Sequence, residues 1–128
     1  MPENDFLVDT NILIYHTQGD QRATDFINKL IRNQSFNISI ITKIEFLGWD
    51  KHTPDGLEKC KRLLETASVY PVDETIAKKT IEIRQMVKVR LADAVIAATA
   101  LSFGFQLATK NADDFKQIEG LRVLDPLS

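Results

Sequence analysis

The chain of 128 residues is poor in the residues on which many catalytic sites depend, with one cysteine, two histidines, five glycines and four prolines. A single cysteine, Cys60, excludes an intrachain disulfide and a zinc site built on paired cysteines, and its helical spacing indicates packing. His16 and His52 have no partner at metal-ligand spacing, so we expect surface or packing roles for both. No P-loop, GxGxxG motif or nucleophile elbow is present, which argues against the enzyme classes built on them.

Charge of one sign and long apolar runs are also missing. Sixteen basic and 18 acidic side chains give a net charge of −2, so the whole molecule lacks the charge typical of nucleic-acid binders. Residues 1–5 form neither a basic nor an apolar segment; we expect no signal peptide, no membrane span and a cytoplasmic location. The length and a hydrophobic content of 44% predict one globular domain over residues 1–128. A local basic strip is nevertheless present, formed by Lys78, Lys79, Arg84, Lys88 and Arg90.

Short apolar runs alternate along the chain with segments of helical periodicity. The predicted strands are 6–8, 36–41, 69–72, 106–108 and 121–124. A helix start follows the first strand, further helices are predicted at 20–31, 42–49, 57–66, 73–88 and 91–103, and 52–56 is a predicted loop. Gly104 suits the end of the last of these helices. Short strands separated by helices imply an α/β fold with a parallel sheet covered on both faces.

The least polar stretch, Leu91–Ala100, contains five alanines and predicts a buried helix. Its first turn nevertheless carries Asp93. A buried carboxylate is costly unless it pairs with a cation or binds a metal, although a helix N-terminus favours its ionised form. Asp93 is therefore the first candidate site residue.

Other acidic and amide side chains are expected to gather around Asp93. Asp9 directly follows the first predicted strand, Asn111 and Asp114 follow the strand at 106–108, and Glu45 lies about one helical turn beyond the second strand. Sites in open α/β sheets form at the carboxyl ends of the strands, so these residues can face one edge. Oxygen ligands without histidine or cysteine favour Mg²⁺ or Mn²⁺. A metal held this way activates water and stabilises charge on a phosphodiester, which indicates a nuclease or phosphatase.

Each of these residues also has a plainer structural explanation. Asp9 or Thr10 fits a helix N-cap, and Glu45 fits a capping box opened by Thr42. The hypothesis of an acidic metal site therefore requires that capping alone does not explain why these residues are present.

Four motifs in order resemble the PIN domain and, more narrowly, the VapC-like toxins of toxin–antitoxin pairs. They are Leu7–Asn11; the spaced set Ser39, Thr42, Glu45 and Gly48; Leu91–Ala100; and the set Thr109, Asn111, Asp114 and Phe115. The segment Ile118–Val123 is also similar to that family. The resemblance implies a three-layer α/β/α sandwich with a central parallel sheet and a Mg²⁺- or Mn²⁺-dependent endoribonuclease. It implies metal binding and catalysis by Asp9, Glu45, Asp93 and Asp114, with Asn111 as the other candidate for the fourth position. It further implies positioning roles for Thr10, Asn11, Thr109 and Asn111.

By this resemblance, metal held by Asp9 and Asp93 activates a water, and Glu45 or Asp114 positions or deprotonates it for in-line attack. The product would carry a 5′-phosphate and a 3′-hydroxyl. The resemblance also implies a homodimer, an RNA substrate and a cognate antitoxin protein. Lys88, Arg90 and Lys110 are the expected RNA contacts. Trp49 is expected on a partner-binding surface and Phe46 in the core.

Two other classes of function stay open at the level of sequence. A receiver domain or a phosphatase also gathers carboxylates at strand ends. However, no suitable phosphoacceptor aspartate follows the strand at 69–72, and Asn11 breaks the Asp-x-Asp pattern of haloacid-dehalogenase-type phosphatases. The second alternative is a PIN-like module that binds RNA or protein without cutting.

Overall fold

A five-stranded parallel sheet lies at the centre of the computed structural model, which describes residues 5–128. The strands are β1 (Phe6–Val8), β2 (Phe36–Ser39), β3 (Ser68–Tyr70), β4 (Gln106–Ala108) and β5 (Val123–Leu124). Their order is β3-β2-β1-β4-β5, and β1 pairs on one side with β2 and on the other with β4. Residues 1–4, on which the expectation of no targeting segment partly rests, lie outside the described residues.

Within residues 5–128, six α-helices and one short 3₁₀ helix connect the strands. They are α1 (Thr10–Thr17), α2 (Gln21–Arg32), α3 (Ile40–Leu47), α4 (Pro54–Leu64), α5 (Glu74–Met86), α6 (Leu91–Phe103) and the 3₁₀ helix Ala112–Phe115. Side chains of Asp20, Thr53 and Asp73 cap α2, α4 and α5 by accepting from backbone N–H groups in the first turn. None of the helices in residues 5–128 is long and apolar enough to cross a membrane.

Hydrophobic cores cover both faces of the sheet. On one face, Leu7 and Leu107 pack with α5 and α6. On the other face, Val8 and Ile38 pack with α1, α2, α3 and α4, where the buried Cys60 also lies. The fold class predicted from sequence, a parallel sheet between two helical layers, is therefore confirmed.

The second strand and the helix after it differ from the prediction. The strand ends at Ser39, where its pairing with Tyr70 of β3 ends, and α3 begins at Ile40. Ser39, whose side chain accepts from the backbone N–H of Ile41, is the N-cap. Thr42 is fully buried inside α3. The predicted capping box of Thr42 and Glu45 is thus wrong.

Other boundaries moved by a few residues. Pro54, Asp55 and Gly56, predicted as loop, form the first turn of α4, because Pro suits the first helical turn and Thr53 caps it. The strand predicted at 69–72 is Ser68–Tyr70, and the helix predicted to reach Lys88 ends at Met86. The last strand is shorter than 121–124, since only Val123 and Leu124 pair with β4.

The helix expected to be buried on every side, α6, is buried from Ala94 to Ala100 but opens to solvent at both ends. Leu91 is 55% exposed, so the first turn, with Asp93, reaches the protein surface. Gly104 ends the helix in the left-handed conformation, with φ of 72°, which confirms its predicted role.

Candidate active site

Acidic side chains from four separate segments meet at the carboxyl edge of the sheet. Asp9 directly follows β1 and Thr109 directly follows β4, at the point where the chain turns to β2 on one side after β1 and to β5 on the other side after β4. This is where ligand sites form in open α/β sheets. A cavity of about 600 Å³ opens there, lined by Asp9, Thr10, Asn11, Ile14, Glu45, Gly48, Trp49, Asp50, Arg90, Asp93, Asn111, Asp114 and Phe115.

Asp9 is held from several directions although it is only 6% exposed. Its Oδ1 accepts from the backbone N–H of Thr10 at 2.8 Å, so it also caps α1. Its Oδ2 accepts from Thr109 Oγ1 at 2.7 Å and from Asn11 Nδ2 at 3.3 Å. Asp9 therefore caps α1, as the plainer explanation predicted, and also lines the acidic cavity.

Burial raises the pKa of Asp9 from 3.8 to about 6. Hydrogen bonds from Thr109 and from the Thr10 backbone oppose the rise, while the charges of Asp93 and Glu45 add to it. The protein thus holds Asp9 in a position where burial and neighbouring negative charges disfavour its ionised form. A cation bound in the cavity would relieve this cost, so the electrostatics favour occupation by a positively charged group.

Glu45 is oriented by threonines. Thr10 Oγ1 donates to Glu45 Oε1 at 2.7 Å and lies 3.3 Å from Thr42 Oγ1, which is buried beneath it. Thr10 therefore links the first turn of α1 to the middle of α3. The Glu45 residue itself is exposed, so its second carboxylate oxygen is available to a ligand in the cavity.

Asp93 faces the same cavity from the first turn of α6. Its carboxylate accepts from Arg90 Nε at 3.3 Å and from Arg90 Nη2 at 3.4 Å. The Asp93 side chain is 13% exposed, whereas that of Arg90 is 78% exposed. Hydrogen bonding and charge from Asp93 raise the pKa of Arg90, with smaller contributions from Glu45 and Asp9. The cation expected beside Asp93 is therefore Arg90, an exposed arginine at the rim of the cavity.

The segment after β4 supplies the fourth side of the cavity. The Thr109 hydroxyl accepts from Asn11 Nδ2 at 3.2 Å and from the Asn111 backbone N–H at 3.1 Å, while it donates to Asp9. Both Asn111 and Asp114 line the cavity, and Asp113 does not. The structure therefore brings both candidates for the fourth position to the site.

The basic residues predicted to contact RNA are divided between two places. Lys88 and Arg90 line a hollow beside the acidic cavity, together with Asp93 and Asp114. Lys110 instead forms a salt bridge of 3.6 Å with Asp125, and its backbone N–H donates to Asn11 Oδ1. Of the remaining strip, Lys79 pairs with Glu82 on α5, away from the acidic cavity.

Sequence reasoning missed two residues of the cavity wall, Asp50 and Ile14, and did not place Trp49 there. Asp50 lies in the connection between α3 and α4, where neither periodicity nor a motif marks it. Only the path of that connection past α1 brings it to the cavity. Ile14 had a weak signal, since it lies one helical turn after Asn11 on α1.

The donor set fits a hard divalent cation. Among residues 5–128, no three His, Cys, Asp or Glu side chains stand close enough to form a complete metal cluster. The cavity does, however, collect the carboxylates of Asp9, Glu45, Asp93 and Asp114 without histidine or cysteine. Mg²⁺ usually keeps several waters and takes only one or two protein carboxylates, so this open arrangement is compatible with it.

Comparisons with known proteins cover nearly the whole chain. The family model of the PIN domain matches residues 6–121. Ribonuclease VapC10 of Mycobacterium tuberculosis (strain ATCC 25618 / H37Rv) is 32% identical over 121 residues, which are 91% of this chain and 90% of that protein.

Solved structures share the fold over a similar length. A toxin–antitoxin complex from Klebsiella pneumoniae contains a chain with a TM-score of 0.79 and 30% identity, covering 95% of this chain and 98% of that one. The DNA-bound VapBC from Salmonella typhimurium contains one with a TM-score of 0.82 and 26% identity, at the same two coverages. The similarity therefore includes the sheet and all four segments that form the acidic cavity.

Proposed function

The chain belongs to the PIN-domain family as a VapC-like ribonuclease, and from this premise we propose that its acidic cavity is where RNA phosphodiesters are hydrolysed. The observation that carries the proposal is the convergence of Asp9, Glu45, Asp93 and Asp114 on one cavity, with the pKa of Asp9 raised to about 6. A buried carboxylate held under charge repulsion is typical of a site prepared for a cation.

Asp9 and Asp93 are the residues proposed to hold the metal, directly or through water, with Glu45 and Asp114 completing the acidic ring. PIN-domain ribonucleases are generally metal-dependent, and the oxygen-only donors support Mg²⁺ or Mn²⁺ here. A bound divalent ion would lower the pKa of a water and neutralise charge on the phosphate.

The protein's own side chains then account for positioning. Thr10 holds one oxygen of Glu45, which leaves the other free to orient or deprotonate an attacking water. Thr109 and Asn11 hold Asp9 in one rotamer. Arg90, exposed and anchored on Asp93, is placed to contact a phosphate oxygen, and Lys88 lies on the same side. Attack by water would leave a 5′-phosphate and a 3′-hydroxyl.

An antitoxin partner is proposed because the structural neighbours are chains of toxin–antitoxin complexes. We also propose a homodimer. Exposed apolar side chains of Ile81, Met86 and Leu91 near α5 and the start of α6 provide surface for such a contact. Size-exclusion chromatography with light scattering tests the dimer directly.

The decisive experiment incubates the purified, antitoxin-free chain with a mixed RNA pool and Mg²⁺ or Mn²⁺. EDTA and Asp93→Asn are the two controls, and both should abolish cleavage. Products with 2′,3′-cyclic phosphate ends would contradict the proposed attack by water. Folded protein that binds RNA without cutting it in either metal would instead support the non-catalytic binding module.

A further inference from the structure

A second cavity, of about 490 Å³, lies beside the acidic one and shares a wall with it. We call it the side cleft. It lies between the end of α1, represented by Gln18, the connection from α3 to α4, and the exposed side of α4, represented by Lys59. Trp49 lines both cavities and is therefore the shared wall.

The Trp49 ring is held in place by His52. The two rings meet edge to face, with centroids 5.2 Å apart and an interplanar angle of 84°. His52 packs in the same way on the buried Phe46, at 5.4 Å, and its Nε2 donates to the Phe46 carbonyl oxygen at 2.7 Å. These ring contacts hold the partly exposed indole ring of Trp49 next to the acidic cavity.

The charge of the side cleft is opposite to that of its neighbour. Lys51 and Lys59 line it, both exposed, and no aspartate or glutamate of residues 5–128 is among its lining residues. Neither lysine forms a salt bridge with another of the described residues 5–128. Polar side chains of Gln18 and Thr53 complete the wall. The acidic cavity, in contrast, is lined by five carboxylate residues and one arginine.

We propose that the side cleft is a nucleotide subsite for single-stranded RNA. A base adjacent to the scissile bond stacks on Trp49, and the two phosphates that flank it contact Lys51 and Lys59. The inference rests on the proposed function, because the acidic cavity fixes where the scissile phosphate lies. Aromatic plates beside cationic side chains are the usual means of binding single strands. Gln18 and Thr53 are placed to contact base edges, so this position would contribute to the choice of cleavage sequence.

A polypeptide partner is the competing occupant of the cleft. Two observations favour RNA. Trp49 lines both cavities, so a strand that lies across its ring can reach from the acidic cavity into the cleft, and the two lysines of the cleft, which form no salt bridge within residues 5–128, match a polyanion.

Fluorescence can test the proposal directly, since Trp49 is the only tryptophan of the chain. A short single-stranded oligoribonucleotide is titrated into the full chain in EDTA, where no cleavage occurs. Stacking on Trp49 should quench its emission. Oligonucleotides with one abasic position, moved stepwise along the strand, should lose the quenching at a single position next to the cleavage site. Quenching that no abasic position removes would overturn the proposal.

Variants give an independent measurement by anisotropy of labelled RNA. Trp49→Ala should weaken binding by roughly 5- to 150-fold, and Trp49→Phe should retain most of it. Circular dichroism of both variants checks the fold. Lys51→Gln combined with Lys59→Gln should reduce the slope of log K against the logarithm of the salt concentration by about 1.4, at roughly 0.7 for each of two lost phosphate contacts.

The matched control is Lys43→Gln combined with Lys61→Gln. These lysines lie on α3 and α4 but line a different hollow, so the same loss of charge should leave the salt dependence nearly unchanged. Equal effects of both pairs would overturn the subsite and leave only non-specific attraction. If wild-type protein cleaves RNA but the Trp49 variants bind and cut normally, the subsite fails while the proposed function stands. If the cleft variants lose only antitoxin binding, a polypeptide occupies it and the RNA subsite is refuted.

Discussion

Replacing Asp9 by asparagine should stabilise the metal-free protein at neutral pH while abolishing its cleavage of RNA. A rise of the Asp9 pKa from 3.8 to about 6 corresponds to about 3 kcal/mol, because each pH unit is worth about 1.4 kcal/mol. The native state binds more protons than the unfolded state between these two values. Stability of the wild type therefore falls as pH rises through this window.

Asparagine removes the charge but keeps the size of the side chain. Its Oδ1 can still accept from the Thr10 N–H, whereas its amide nitrogen would replace Oδ2 and face the Thr109 hydroxyl and the Asn11 amide, which both donate to Oδ2 in the wild type, at a cost of about 1 kcal/mol. We therefore expect Asp9→Asn to be about 2 kcal/mol more stable than wild type at pH 7.5. Near pH 4, where native Asp9 is protonated, we expect the variant to be less stable by about 1 kcal/mol.

Urea unfolding of both proteins in EDTA, from pH 4 to pH 8, measures this change of sign. The comparison cancels the other titrating groups, which are the same in both chains. Saturating Mg²⁺ at pH 7.5 should then stabilise wild type, by about 2.7 kcal/mol at one hundred times the dissociation constant, and stabilise the variant much less. A stability difference that does not vary with pH would refute the electrostatic argument. Equal stabilisation of both proteins by Mg²⁺ would refute the role of Asp9 in holding it.

Three further predictions concern the neighbours of Asp9. Asp114→Asn should slow cleavage by about 10- to 100-fold in initial-rate assays. The control Asp113→Asn changes the neighbouring residue, which lies outside the acidic cavity, and should cleave within about twofold of wild type. Equal losses in the two variants would argue against Asp114 as a site residue. Arg90→Gln should lower the cleavage rate about tenfold or more, and Arg90→Lys should recover part of the rate. Mn²⁺ binding in calorimetry should not weaken in Arg90→Gln, because the guanidinium and the metal both contact Asp93 and the metal keeps that carboxylate. A loss of Mn²⁺ affinity would instead indicate that Arg90 shapes the metal site. Thr109→Val should lower the free energy of unfolding by about 1 to 3 kcal/mol at pH 7.5 and by less at pH 4.5, since the hydroxyl lowers the pKa of Asp9. Thr109→Ser keeps the hydroxyl and should be close to wild type. The same loss at both pH values in urea unfolding would contradict this prediction.

The order of elements could be predicted from local signals. The end of α6 at Gly104 needs only its own neighbours, and the structure confirms it. Asp9 also followed from local sequence, because a short apolar run that ends in polar residues marks the carboxyl end of a strand. Asp93 followed from a charge within an apolar helix, and Glu45 and Asp114 from their places beyond strand ends. The family resemblance added the catalytic and metal-binding roles of the set.

The boundary between β2 and α3 could not be predicted in this way. Ile40 and Ile41 continue the β-branched run of the strand, but the strand stops where its neighbour β3 ends. Thr42 was taken for a cap and is instead a buried hydroxyl beneath Thr10. Both errors arose because strand length depends on a partner 31 residues away, which no local pattern records.

The sequence by itself determined the alternation of strands and helices, the two apolar faces of the sheet and the position of Asp9 at a strand end, since periodicity and capping act over a few residues. Only the tertiary structure decided that Thr10 and Thr109 orient the carboxylates of Glu45 and Asp9, and that Trp49 separates an acidic cavity from a basic one. These contacts join segments that lie apart in the chain or depend on how a loop crosses the sheet edge. They are set by packing of the whole fold, and local sequence cannot express them.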